Sequence, residues 1–160
     1  MVHHLYDVQG DRRDPAPRRV TAGSRRPVEI GAEEALRLLG EVSLGRIVFT
    51  RHALPTVRPV NHVLDAGDIV IRTHDGAALT SHAQGADAPG VVVAYEADAL
   101  DPDTHLGWSV VVTGYAQLVT DPAEVSRYHA LIHPWIDQEM DQTVRIRPDL
   151  VTGVRLVAHP

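Results

Sequence analysis

Alternation with a period of two dominates the chain after its first two dozen residues. LGRIVFT (44–50), PTVRPVNHVLD (55–65), DIVIRT (68–73), GVVVAYEAD (90–98) and WSVVVTGYAQLVT (108–120) are rich in branched residues and read as strands. TVRIRP (143–148) and VTGVRLV (151–157) continue the pattern as two last strands split by Pro148. Val28-Glu29-Ile30 is a short strand at the front. Pro59 has no N–H for a ladder, so its strand must have an edge or a bulge there. Gly114 inside an otherwise strong strand predicts a bulge or sharp bend, the device by which sheets close into barrels.

Two segments change to helical spacing. In GAEEALRLLG (31–40), Ala32, Ala35, Leu36 and Leu39 share one face, with Glu33 and Glu34 in the first turn, where they suit the dipole. In the second, Asp121 is the N-cap, Pro122 opens the helix and Glu124 completes the capping pattern. Val125, Tyr128, Leu131 and Ile132 follow as its apolar stripe, and Pro134 ends it. Gly76 opens a third, shorter candidate, GAALTSHA. The fold class is therefore mainly β (α+β), a small barrel with two or three short flanking helices. Strands do not alternate with helices, which argues against a doubly wound sheet.

Residues 1–26 carry Pro15, Pro17 and arginine pairs with little periodicity, and read as a flexible N-terminal arm before a domain spanning 27–160. An apolar share of 44% is enough for one core. Fifteen arginines face 21 acidic residues, a net charge of −6 that argues against a nucleic-acid binder. Lysine is absent, so any phosphate clamp must use arginine, a bidentate donor. Cysteine is absent too, which excludes disulfides, thiol nucleophiles and Cys-ligated metals. No apolar run reaches the ~18–20 residues of a membrane span, and no signal-peptide core is found at the start, so a cytoplasmic protein is expected.

The candidate chemistry lies in RPVNHVLDAGDIVIRTHDGAALT (58–80). Arg58 and Arg72 flank an Asp65-Ala66-Gly67-Asp68 turn, and with Thr73 they either clamp a phosphate or sit exposed on a wet sheet. Asn61, His62, His74 and His82 surround them, His62 as an acid, a ring donor or a plain structural residue. Trp108, beside Ser109, either stacks on a ligand or packs, and Trp135 has the same two readings. His129 and His133 have metal-ligand spacing on a helix but no third ligand, and no metal site is assigned. There is no nucleophile elbow, nucleotide-phosphate loop or dinucleotide fingerprint. If the protein is an enzyme, a borrowed cofactor does the chemistry.

Four segments in order, EEALRLLGEVSLGRIVFT, LPTVRPVNHVLDAGDIVIRT, GWSVVVTGYAQLV and VRIRPDLVTGVRL, resemble the pyridoxamine 5′-phosphate oxidase-like family of flavin-binding split β-barrels over residues 28–157. The likeness is greatest to its short actinobacterial members, including the nitroimidazole-reductase-like branch. The resemblance implies a split barrel that binds FMN at a homodimer interface. It places Arg58, Pro59, Val60 and Asn61 along the ring and phosphate, Arg72 and Thr73 beside the phosphate, Ala77 in the following helix, and Trp108 and Ser109 near the ring. It brings Arg145 or Trp135 from the partner subunit. Where many members carry a polar residue and then basic residues after the glycine, this chain has Ala77-Ala78-Leu79. The expected function is a flavin-dependent oxidoreductase acting on a small molecule that the resemblance does not select. A non-catalytic binder of a flavin, deazaflavin or haem, or a cofactor-free dimer, are the alternatives.

Overall fold

The computed structural model describes residues 25–80 and 90–159. Among them run seven strands, β1 (Arg25–Ile30), β2 (Leu44–Arg51), β3 (Leu54–Asp65), β4 (Asp68–Thr73), β5 (Val91–Leu100), β6 (Gly107–Leu118) and β7 (Gln142–Ala158). Helix α1 (Ala32–Glu41) follows β1, α2 (Gly76–Thr80) follows β4, and α3 (Pro122–Leu131) lies between β6 and β7. The strands are hydrogen-bonded in the order β1-β7-β4-β3-β2-β5-β6, and β6 pairs again with β7. That last pairing closes six antiparallel strands into a barrel, with β1 attached outside the ring. The expected split-barrel class is the observed one.

Closure depends on β7. Its first residues pair with β4, its last with β1, and almost its whole length with β6. The two strands expected on either side of Pro148 are one, because a bulge absorbs the proline. Thr113 pairs with Leu150 but Gly114 pairs with Pro148, leaving Asp149 without a partner on β6. A Cβ at Gly114 would lie 2.3 Å from the Arg147 carbonyl oxygen, so only glycine permits this approach. Gly114→Ala is expected to lower the thermal midpoint by several degrees, read by circular dichroism.

Two-residue turns with positive φ at both positions, His52-Ala53 and Ala66-Gly67, join β2 to β3 and β3 to β4. This is the turn that matches the right-handed twist of a hairpin. β2 pairs with β3 from Leu54 to Asn61, whereas β4 pairs with it only from His62 to Asp65. Pro59 therefore lies where β3 has one neighbour, the edge that its missing N–H requires.

Ile47, Phe49, Ile69, Ile71, Tyr95, Val110, Val112, Val144 and Ile146 fill the barrel, joined by Leu38 and Leu39 of α1 and Leu79 of α2. In α1 the buried face is Ala35, Leu38 and Leu39; Ala32, at the exposed first turn, is not part of it. α3 covers the outside of β4, where Val70 packs on Tyr128 and Ile132. Its capping is as expected, with Asp121 Oδ2 accepting the Glu124 N–H at 3.0 Å. Leu131, expected on the buried stripe, is 53% exposed, because the chain leaves the helix there and Ile132 takes the buried position. Arg25 and Arg26, expected in the arm, belong to β1. The rest of the expected arm lies outside the described residues. No helix among the described residues is long and apolar enough to cross a membrane.

Candidate functional site

β3 carries the site. At its middle, Pro59, Val60 and Asn61 form one wall of a slot of about 240 Å³. Leu44 of β2, Arg72 of β4, and Pro134, Trp135, Ile136 and Met140 of the α3–β7 loop complete it. The lining is largely apolar. Asn61 is held at both ends of its amide: Nδ2 donates to the Ser43 carbonyl at 3.1 Å, and Oδ1 accepts the Trp135 N–H at 2.9 Å. Trp135 and Leu44 also border a second groove, of about 390 Å³, with Ser43, Arg46 and Asp98.

Next to Pro59 on β3, Arg58 belongs to a separate charged cluster. Arg58 Nε lies 3.4 Å from the Asp75 carboxylate, Arg51 Nη1 lies 3.6 Å from it and His74 Nε2 3.5 Å. Asp75 is 7% exposed, and its Oδ2 finds no hydrogen-bond partner among the described residues. Both guanidiniums are about half exposed, so two fixed positive charges face one buried negative charge and solvent. Thr73, itself buried, accepts the Asp75 N–H on Oγ1 at 3.0 Å and so shapes the entry to α2. Gly76 opens α2 against β7: a Cβ there would meet the Gln142 side chain at 2.6 Å.

The residues expected in one site thus separate into groups. Pro59, Val60, Asn61 and Arg72 meet at the slot, while Arg58 and Thr73 meet at Asp75. The two arginines do not converge. β3–β4 pairing ends at His62–Ile71, and Arg58 lies four residues further along β3, beyond the end of β4. Arg72 instead donates from Nε and Nη2 to the Met140 carbonyl, at 3.1 and 2.9 Å, and from Nη1 to the Ile132 carbonyl at 3.0 Å.

Trp108 and Ser109 lie elsewhere. Both are on β6, which the ring order places across the barrel from β3. Trp108 is 7% exposed in the barrel core and lines no part of the slot. Ser109 pairs with Asp98 and Val154 on that far wall. Ala77 follows Gly76 in α2; Ala78 packs against the core and Leu79 is buried in it.

His62 is a structural residue. It is buried, Nε2 lies 2.8 Å from the Leu39 carbonyl, and Nδ1 lies 2.6 Å from Tyr95 Oη. Only the Nε2–H tautomer satisfies both, donating to the carbonyl and accepting from the phenol. Burial lowers its pKa below the usual histidine value.

Arg145 is engaged within its own chain, with Asp68 at 3.3 Å, Glu124 at 3.1 Å and Tyr128 Oη at 2.5 Å. Asp65 joins this cluster through Arg127 and Tyr128, whose hydrogen bonds hold its carboxyl below the usual range. The cluster ties α3 to the β3–β4 turn. His129 and His133 belong to no group of potential metal ligands among the described residues, and His82 lies outside them.

Arg51, Asp75, Leu44, Ile136 and Met140 were not expected at the site. Asp75 had a local signal, as an acid between Thr73 and Gly76 in a segment with basic neighbours. Arg51 and the loop residues reach the site only through hairpin register and the return of the chain after α3.

The profile of the pyridoxamine 5′-phosphate oxidase family matches residues 31–155, which include β2 to β6 and all of β7 but its last three residues. The chain belongs to that family. It is 50% identical to the uncharacterized protein Rv0080 of Mycobacterium tuberculosis over 145 residues, 90% of this chain and 95% of that one. A crystal structure from Corynebacterium glutamicum, provisionally named pyridoxamine 5′-phosphate oxidase, superposes with a TM-score of 0.67 at 33% identity. It covers 84% of this chain and 100% of its own. The FAD-binding protein of Mycobacterium smegmatis is similar with a TM-score of 0.58 at 32% identity, covering 81% of this chain and 98% of that one.

Proposed function

We propose that this member of the family binds a flavin and is a flavin-dependent oxidoreductase acting as a homodimer. The observation that carries the reading is that β3 bears both an apolar slot, at Pro59-Val60-Asn61, and, one residue before it, the half-exposed cation Arg58, which shares Asp75 with Arg51 of β2. A planar ring joined to a phosphate by a short polyol chain matches that layout. Three residues of strand, from Arg58 to Asn61, span about 10 Å. The name of the M. smegmatis protein supports the flavin class. A bound flavin supplies the hydride chemistry; the protein contributes binding, orientation and exclusion of water.

The second copy has its own physical argument. The slot of about 240 Å³ is smaller than the ~300–1,000 Å³ usual for ligand pockets, so one chain encloses only part of a flavin. Outward-facing residues continue from the slot across the barrel in two rows. Pro59 leads through Arg46 and Glu96 to Val111, and Val57 leads through Val48, Ala94 and Thr113 to Leu150. Val57, Val111 and Leu150 are all substantially exposed around the Arg46–Glu96 ion pair, a mixed apolar and paired-charge face suited to a second copy.

The test is titration of cofactor-stripped protein with FMN, FAD, riboflavin and a deazaflavin, read by flavin fluorescence. Saturable binding with FMN at least tenfold tighter than riboflavin is expected; no binding of any of them would overturn the reading. Arg58→Ala is expected to weaken FMN by about 10–100-fold, the value of one charge-assisted bond, and leave riboflavin unchanged. The Asp75 carboxylate competes with an incoming phosphate for the same guanidiniums. Asp75→Asn is therefore expected to tighten FMN by about tenfold, again without effect on riboflavin. Weaker FMN binding in that variant would mean instead that Asp75 serves to aim the two arginines.

A further inference from the structure

The α3–β7 loop that forms one wall of the slot contains no helix or strand from Ile132 to Asp141. Its path must be held by side chains. The carbonyl of Ile132 is at the C-terminal end of α3, where helix carbonyls lack partners within the helix. The carbonyl of Met140 is eight residues further on, just before β7 begins. Both residues are buried, at 2% and 6% exposure, so both carbonyls need a donor from the protein. A single side chain provides it. Arg72 reaches Met140 with two N–H groups and Ile132 with a third, using the planar fork to hold both ends of the loop.

The loop so held is bonded to the β3 wall of the slot. The Trp135 N–H donates to Asn61 Oδ1, and the other end of that amide is on Ser43. A continuous chain of bonds therefore runs from β4 through the loop to β3 and the α1–β2 link: Arg72, the Ile132 and Met140 carbonyls, Trp135, Asn61 and Ser43. Pro134, Trp135 and Ile136 lie on the slot because this chain puts them there.

We propose that Arg72 is a positioning residue: it staples the Ile132–Met140 segment so that Trp135 and Asn61 form the wall against which the ring of the ligand lies, and it makes no contribution through the phosphate. This rests on the reading of the slot as a flavin-ring site. It differs from the role that the alignment of Arg58 and Arg72 along the hairpin suggests, since the guanidinium is turned to the loop carbonyls and away from Asp75.

The experiment compares Arg72→Lys and Arg72→Met. Lysine keeps the charge but not the fork, and cannot hold two carbonyls as arginine does. The first readout needs no ligand: amide hydrogen exchange of Trp135 by NMR in the flavin-free protein. Both variants are expected to speed it at least tenfold while the amides of β5 and β6 keep their protection. The second readout is affinity for riboflavin and for FMN. Both ligands are expected to weaken by the same factor, about tenfold, with lysine no better than methionine. Unchanged Trp135 exchange would overturn the staple. Loss of FMN affinity alone, rescued by lysine, would show a charge acting on the phosphate and would also overturn it. If wild-type protein binds no flavin, the cofactor reading fails and the exchange measurement decides the staple without it. Should Arg72→Met not fold, the lysine variant carries both readouts.

Discussion

Val111→Glu is expected to leave the protein folded, convert it to monomers in sedimentation velocity, and weaken flavin binding by at least tenfold. Val111 is 40% exposed on the outer face of β6, at the end of the row that begins at Pro59 in the slot. Its directly paired neighbours are Glu96 on β5 and Thr152 on β7, so a glutamate there faces an existing carboxylate as well as the apolar surface. Burying that charge against a second copy is costly without a partner for it. The substitution touches nothing in the slot itself, so a fall in flavin affinity would report the contribution of the second copy. Leu131→Glu is the control: Leu131 is also exposed, but it lies on α3, away from this face, and the variant should remain dimeric. A Val111→Glu protein that stays dimeric with unchanged affinity would place the interface elsewhere.

The other large effect is on stability. His62→Phe is expected to lower the free energy of unfolding by about 2–5 kcal/mol, measured by urea denaturation at pH 7.5. The substitution leaves the Leu39 carbonyl without its side-chain donor and Tyr95 Oη with only the Val60 carbonyl, at 3.5 Å, in place of its 2.6 Å bond, both inside the protein. The same histidine gives the stability a pH dependence. Its folded-state pKa is lowered by burial from the usual 6.5, so below that pH the unfolded chain takes up a proton that the folded chain refuses. Stability from this group is complete above about pH 6.5 and is lost as the pH falls from there toward the folded-state pKa. In His62→Phe the pH slope over this range should shrink by up to one proton. An unchanged slope would mean that other histidines carry it.

The hairpin and barrel elements were legible because their signals are local. Branched residues at every second position gave β2 to β6 within about two residues of their observed ends. Asp121, Pro122 and Glu124 marked the start of α3 because a cap is a bond between near neighbours in the chain. Gly114 announced the bulge. Pro148 misled in the opposite direction: read alone it ends a strand, but opposite Gly114 it is accommodated by one extra residue on β7. The site was legible only in part. Arg58, Pro59, Val60 and Asn61 are adjacent on one strand, so their strand could be read from the sequence, but not which of them share a face with other elements.

The sequence by itself determined a mainly β domain, its helix starts, its bulge and the strand that carries Arg58 and the slot wall, because each of these follows from residues within a few positions of one another. Tertiary structure alone decided the partners. Arg72 turned to Ile132 and Met140, across 60 and 68 positions, and Trp135 met Asn61 across 74. Arg51 and Arg58 converged on Asp75, and Trp108 went into the core. The reason is geometric: hairpin register and barrel closure set which side chains face one another, and neither is written in the spacing of any single segment.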